Sequence, residues 1–348
     1  RKDAAARVGR GGVFELLTKL KDYRDERQKD YCLRSLKDLS AQQLDKGPRA
    51  LTQYKGNVMR LLKKVPECAS YADVEKQNVV DVGYPTQLVI TGHSFGGLVI
   101  YEALSHALME RAAKITKDAD GKPINVKSFG DFVMLVNPAF EGSLYEPLFQ
   151  IATHREYPEG QRPVMMIVTS DADSATKYAV PIGRGLSTLL QHAEPDGQSD
   201  SMLKTIGHND RYVTHLLEDK KVLSEKEKKV INERKDQERK DQGGCGCEYL
   251  ESTAEWDQAA LLRRLQALIN NEFGPSIDYS GTDTNSESCN AITLTSVSGK
   301  TPPYPDNYPY LVVKTHENLI PDHNTIYEDR FTTFAQVFTS AHVFYDLP

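Results

Sequence analysis

Apolar residues along the chain follow two patterns, and the alternation between them sets out the elements. Four short runs are almost continuously apolar and bounded by turn residues, at 87–91, 131–136, 163–169 and 310–315. Runs of this length without polar alternation fit parallel strands covered on both faces. Elsewhere apolar residues recur at helical spacing: Leu98, Tyr101, Ala103, Leu104, Leu108 and Ala112 follow the first run, and a helical stretch over 326–338 follows the last. Residues 1–30 carry a helical pattern broken at Gly9, Gly11 and Gly12, and another helical stretch spans 40–64 with a break at Gly47-Pro48. The order strand, helix, strand, connection, strand predicts an α/β fold, a mostly parallel sheet flanked by helices.

Before the last strand the pattern changes. Residues 218–241 alternate Lys, Arg, Glu and Asp densely, which reads as a solvated helix held by charge pairs four residues apart. Gly243-Gly244-Cys245-Gly246-Cys247 reads as a joint, 256–273 as an amphipathic helix lying on the domain surface, and 274–309 as polar chain ending in prolines. The expected division is a core over 1–217, a helical and charged insertion over 218–309 that could serve as a lid, and a return to the same core over 310–348.

The first run ends at Gly92-His93-Ser94-Phe95-Gly96 and passes directly into the helical pattern. A bare Gly-x-Ser-x-Gly arises by chance in about one chain in ten of this length. Between a strand and a helix it carries more weight, because a tight strand-to-helix turn lifts the serine Oγ clear of the sheet and turns the next backbone N–H toward a developing oxyanion. Ser94 is therefore the candidate nucleophile and the Phe95 N–H the candidate oxyanion donor. Gly92 and Gly96 are expected to let the strand and helix backbones approach.

A serine nucleophile needs a base, and the base needs an orienting carboxylate. After the run ending at Thr169, Ser170-Asp171-Ala172-Asp173 offers two carboxylates. Asp173 is preferred to Asp171, since the additional residues let its side chain turn over the sheet edge. After the last run come His316 and, past Pro321-Asp322, His323. His323 is preferred as base because a side chain just ahead of a helix can be fixed by local hydrogen bonds, whereas His316 is nearly in the strand. His93 is assigned a packing role, and His208 and His215 are read as ordinary loop or helix residues.

Gly-His-Ser-Phe-Gly-Gly after one apolar strand, Thr-Ser-Asp-Ala-Asp after a later one and Ile-Pro-Asp-His-Asn after the last resemble the lipase and esterase branch of the α/β-hydrolase superfamily. The resemblance covers 86–175 and 308–340. It implies a Ser94, His323, Asp173 triad that cleaves carboxylic esters, with apolar acyl esters as the small-molecule substrate and no cofactor required. The same residues are compatible with an acyltransferase, or with a non-catalytic α/β-hydrolase-like binding or scaffold module. The resemblance fails over 1–87, where such folds place several strands and a second oxyanion donor. With four candidate strands in all, an upstream segment of the same protein is expected to supply the rest.

Composition narrows the partners. A formal net charge of −6 and 39% hydrophobic residues suit a folded domain and provide no basic footprint for nucleic acid. Cysteines at 32, 68, 245, 247 and 289 are odd in number and lack repeated Cys-x-x-Cys spacing, which implies neither a disulfide framework nor a zinc site. Residues 1–30 are too charged for a signal-peptide core, and no apolar stretch approaches the roughly 18 residues of a membrane span.

Overall fold

Strand formation follows from burial on both faces. In β2 (Phe132–Val136), Phe132, Met134 and Val136 point into one apolar cluster while Val133 and Leu135 point into another. Successive side chains of a strand leave opposite faces, so a strand packed on both sides must be apolar at every position. β3 (Met165–Ser170) and β7 (Tyr310–Thr315) obey the same rule, with Met165, Ile167, Tyr310 and Val312 on one side and Met166, Val168, Leu311 and Val313 on the other. The computed structural model describes residues 2–41, 68, 86–114, 116–179, 204–219, 276–278, 292–297, 304–305 and 307–342.

The fold is α/β: among the described residues, a seven-stranded, mostly parallel sheet flanked by helices, in the order β1 (Val89–His93), β2, β3, β7, β4 (His215–Asp219), β6 (Ile292–Ser296), β5 (Ser276–Asp278). β1, β2, β3, β7 and β4 pair in parallel, and β6 and β5 continue the sheet antiparallel. One face is covered by α3 (Phe95–Ala113) and α4 (Gly142–Thr153), through Leu98, Tyr101, Leu104, Leu108, Tyr145, Leu148 and Phe149. The other is covered by α5 (Asp329–His342), whose Phe331, Phe334 and Phe338 lie one turn apart on a single stripe. Each fully buried phenylalanine contributes about 2–3 kcal/mol of hydrophobic stabilisation.

The sheet corrects the strand count. β4 takes in His215, read above as a loop or helix residue, and β5 and β6 come from within the segment read as an insertion. SID and ITLTS are polar at alternate positions and HLLED has only two adjacent leucines, so no continuous apolar run marks them. The closing helix starts at Asp329 rather than 326, leaving Ile326 packed on its cluster and Tyr327 exposed in the approach.

The start of the chain is helical. α1 (Lys2–Val8) leads through a wide turn at Gly9–Val13, kinked at Gly11, into α2 (Phe14–Ala41). This unit is tied to α3 and to the start of β2 by ion pairs. Arg10 Nε donates to Glu102 of α3 at 2.8 Å, and the Arg24 guanidinium forms a two-pronged pair with Asp131, whose Oδ2 also accepts the Leu88 N–H at 2.6 Å. A disulfide between Cys32 of α2 and Cys68 corrects the expectation that the cysteines imply no such link: odd counting across the chain hides one pair that the fold brings together. Beyond residue 41 the helix expected over 40–64 lies outside the described residues, as do the charged run beyond 219, the Cys245-Cys247 joint and the helix expected over 256–273.

Candidate functional site

Parallel strands all point the same way, so the loops at their carboxyl ends gather on one edge of the sheet. Ser94 follows β1, Asn137 follows β2, Asp173 follows β3 and His323 follows β7. The chain therefore delivers four polar side chains to one edge from positions as far apart as 94 and 323.

Ser94 sits at the junction of β1 and α3 with φ 55° and ψ −123°. A non-glycine residue in such a conformation costs about 1–3 kcal/mol and persists only where its surroundings hold it. Here Ser94 N–H donates to Val136 C=O at 3.1 Å, and Ser94 C=O accepts from Leu98 at 3.2 Å and Ala139 at 3.0 Å. Glycine makes the turn possible at two places. A Cβ on Gly92 would lie 2.7 Å from Ile100 Cδ1, and one on Gly97 would lie 2.8 Å from Pro138 Cβ. Gly96, expected to share this role, has open space where its Cβ would be, so the close approach belongs to Gly97 instead. Phe95 opens α3 with its side chain 43% exposed beside Ser94. The N–H groups in the first turn of a helix have no intrahelical acceptor, which leaves those of Phe95 and Gly96 available at this end.

Ser94, His323 and Asp173 form one hydrogen-bonded line. His323 Nε2 is 2.7 Å from Ser94 Oγ, and its Nδ1 is 2.9 Å from Asp173 Oδ1. The ionised carboxylate only accepts, so His323 Nδ1 carries the proton and Nε2 presents its lone pair to the serine hydroxyl. Asp173 is fully buried and also accepts the Thr176 N–H at Oδ1, at 3.0 Å, and the Thr176 hydroxyl at Oδ2. Asp171 lies elsewhere: its partners are Lys314, 3.3 Å away, and His316, 3.7 Å away. Burial alone would lower the Lys314 ammonium, but Asp171 and Asp210 outweigh it and hold the group above its ordinary value. Asp171 and His316 thus form a pair of their own, apart from Ser94.

His323 is not fixed by the start of α5, which begins six residues later. It is held by a turn in which Asp322 Oδ1 accepts from Asn324 N–H at 2.7 Å and Thr325 N–H at 3.0 Å. These hydrogen bonds, led by the one from Asn324, keep the Asp322 carboxyl below its usual range. Its backbone is also gripped from the sheet. His93 Nε2 lies 2.7 Å from His323 C=O, which can only accept, so His93 is the donor, and the two rings sit 4.9 Å apart. Asn137, with φ 44°, donates a longer hydrogen bond of 3.5 Å to the same carbonyl, while its Oδ1 accepts Ser170 N–H at 3.0 Å.

His93, Asn137, Thr176 and His208 are the residues that sequence reasoning passed over. His93 was visible inside the elbow and assigned to packing, and Asn137 marked the end of an apolar run. Asparagine tolerates the left-handed backbone that the exit from β2 requires. His208 Nε2 lies 3.2 Å from Thr176 Oγ1, a contact across 32 residues with no local signal.

Among the described residues no cluster of three or more His, Cys, Asp or Glu side chains could hold a metal ion, and no helix is long and apolar enough to cross a membrane. No protein-family model, curated protein or solved structure matches this chain.

Proposed function

We propose that the protein is a serine hydrolase of carboxylic esters, of the lipase and esterase kind found in the α/β-hydrolase superfamily. The observation that carries this reading is the line from Ser94 Oγ through His323 to the buried Asp173, with contacts of 2.7 Å and 2.9 Å. A solvated loop histidine has no reason to meet a serine in a strained turn on one side and a fully desolvated carboxylate on the other. Structural hydrogen bonding alone would be served by unstrained partners.

In this reading Ser94 Oγ bonds to the ester carbonyl carbon as its proton passes to His323 Nε2. Asp173 stabilises the imidazolium through Nδ1–H and holds the ring in the required tautomer. The carbonyl oxygen, now negative, accepts a hydrogen bond from Phe95 N–H, strengthened by the amino-terminal end of α3. Collapse breaks the ester C–O bond, and the alcohol leaves with the proton held by His323. Water then repeats the sequence, giving up a proton to His323, releasing the acid and restoring Ser94 Oγ–H. The half-exposed Phe95, next to Ser94 in the chain, offers an apolar surface that favours an apolar acyl group.

The test is labelling with a fluorophosphonate probe, followed by peptide mapping. Modification at Ser94, lost in Ser94→Ala and suppressed in His323→Ala, is the expected result. A protein that hydrolyses no ester and leaves the probe unreacted is a binding or scaffold module, and the proposal fails.

A further inference from the structure

The hydrogen-bonded line does not stop at Asp173. The Thr176 hydroxyl has one proton and faces two neighbours, Asp173 Oδ2 and His208 Nε2, the latter at 3.2 Å. An anionic carboxylate is a stronger acceptor than a neutral imidazole nitrogen, and the contact to Asp173 is the shorter of the two. The proton therefore goes to Asp173, and His208 must donate its Nε2–H to the Thr176 oxygen. Thr176 is itself 1% exposed, and its main-chain N–H reaches the other oxygen of Asp173, so one residue clamps both carboxylate oxygens.

The site of this clamp is built rather than incidental. Thr176 lies in the helical turn Ala175–Ala179 after β3, and Thr205 Oγ1 donates to its C=O at 3.1 Å. His208 lies in the short turn Ile206–His208, which packs on β3 and β7. Two separate segments thus converge on the side of Asp173 that His323 does not occupy.

We propose that Thr176 and His208 are positioning residues that extend the Ser94, His323, Asp173 line by two members and set the basicity of His323 through Asp173. The kinetic part of this proposal rests on the esterase reading above; the hydrogen-bonding part does not. A donor to the carboxylate stabilises its charge and makes it a weaker partner for an imidazolium. Removing the Thr176 hydroxyl leaves Asp173 more basic, so it draws His323 toward the protonated form, and less base is free at neutral pH. His208 acts one step further out by polarising the Thr176 hydroxyl, and so has the same sign and a smaller size.

The charged and titratable groups around the chain bear on the same titration. Asp173 and His93 face His323, with Asp322 beside it in sequence. Asp173 and Asp171 act on His208 in one direction and Lys314 and Lys177 in the other, while burial dominates and pushes it down to about 4. His208 is consequently neutral over the range in which an ester hydrolase of this kind works, which leaves its donor role unchanged across the pH profile of His323.

The experiment compares the full chain with T176V, T176S, H208F and H208Q, following the His323 imidazole by NMR titration and ester hydrolysis by steady-state kinetics. In T176V the His323 pKa and the acid limb of kcat/KM should both rise by about half to one pH unit, and kcat should fall about ten-fold with KM nearly unchanged. T176S, which keeps the hydroxyl, should recover most of the loss. H208F should move the titration the same way by less, and H208Q, whose amide can still donate, should stay nearest the wild type. An unshifted His323 titration in both T176V and H208F would overturn the proposal even if activity fell, because loss of packing lowers activity without changing the basicity of His323. Should T176V fail to fold, the contrast between H208F and H208Q decides on the same criterion. A wild-type chain inert to esters would sink the esterase reading, and the NMR titration would still uphold or overturn the hydrogen-bonded extension.

Discussion

The two halves of the sheet are built differently. From β1 to β7 the strands are parallel and clad by helices, β2 is apolar throughout and β3 and β7 through their first four positions, and the loops at their carboxyl ends carry Ser94, Asn137, Asp173 and His323. From β4 to β5 the strands turn antiparallel after the first pair, and each carries polar residues: β6 and β5 alternate them with apolar ones, and β4 ends on Glu218 and Asp219. In the parallel half, direction and burial together converge loops from distant parts of the chain on one edge. In the mixed half the reversal of direction sends successive strand ends to opposite edges, and among the described residues they gather no comparable cluster. It completes the sheet by covering the far side of β7, with Leu217, Ile292 and Leu294 buried there.

The sharpest way to test this division of labour is at the parallel edge. Ser94→Ala and His323→Ala should each reduce kcat for a p-nitrophenyl ester by at least about ten-thousand-fold, with circular dichroism and the unfolding midpoint close to wild type. His316→Ala should be much milder, since His316 is 57% exposed and pairs with Asp171. A larger loss from His316→Ala would move the chemistry away from the edge described here.

Next in size is the contrast between neighbouring carboxylates. Asp173→Asn should lower turnover by roughly ten-thousand-fold, because the amide can donate and favours the wrong imidazole tautomer. Asp171→Asn should stay within a few-fold of wild type, its partners being Lys314 and His316. Equal losses would erase the distinction.

A change in the mixed half should show up in stability instead. Leu217→Ala, at a fully buried position of β4, should cost about 2–5 kcal/mol in denaturant unfolding, with kcat of the folded fraction little altered. A collapse in kcat at unchanged stability would mean that β4 takes part in the site.

The smallest effect lies in acid sensitivity. Burial pushes His208 and His215 each down to about 4, against roughly 6.5 in an unfolded chain. Above that unfolded value both states are neutral at these positions and stability is fully present. As pH falls from there toward 4 the unfolded chain binds protons that the native state refuses, so stability declines, by at most about 3 kcal/mol per histidine. Denaturant unfolding at pH 7 and pH 5 should show the decline, and His215→Gln, on the mixed half, should remove part of it while leaving the activity profile in place. An undiminished decline would show that His215 is protonated in the folded protein.

Sequence alone determined the parts whose cause is local. Continuous apolar runs located β2, β3 and β7 because a strand buried on both faces has few polar positions to spare, and the short run 88–90 located β1 at the edge of the described sheet. The elbow was legible because a strand, a Gly-x-Ser-x-Gly turn and a helical pattern stand in direct succession. Chain order and strand ends were enough to select Asp173 and His323 as candidates, the two that the structure places against each other and Ser94.

The tertiary structure decided what depends on distance across the chain. β5, at three residues, is a strand through pairing, and β6, ITLTS, is rich in β-branched residues and alternates apolar with polar ones, a period-two pattern that a continuous apolar run does not reveal. Cys32 and Cys68 meet although cysteine spacing implied nothing. Gly97 rather than Gly96 makes the close approach, because Pro138 packs against it from the next strand's loop. The grip of His93 and Asn137 on His323, and the chain from Asp173 through Thr176 to His208, join loops from separate strands. A hydrogen bond depends on a few tenths of an ångström between side chains whose separation along the chain carries no periodic trace, so only the packed fold can select its partners.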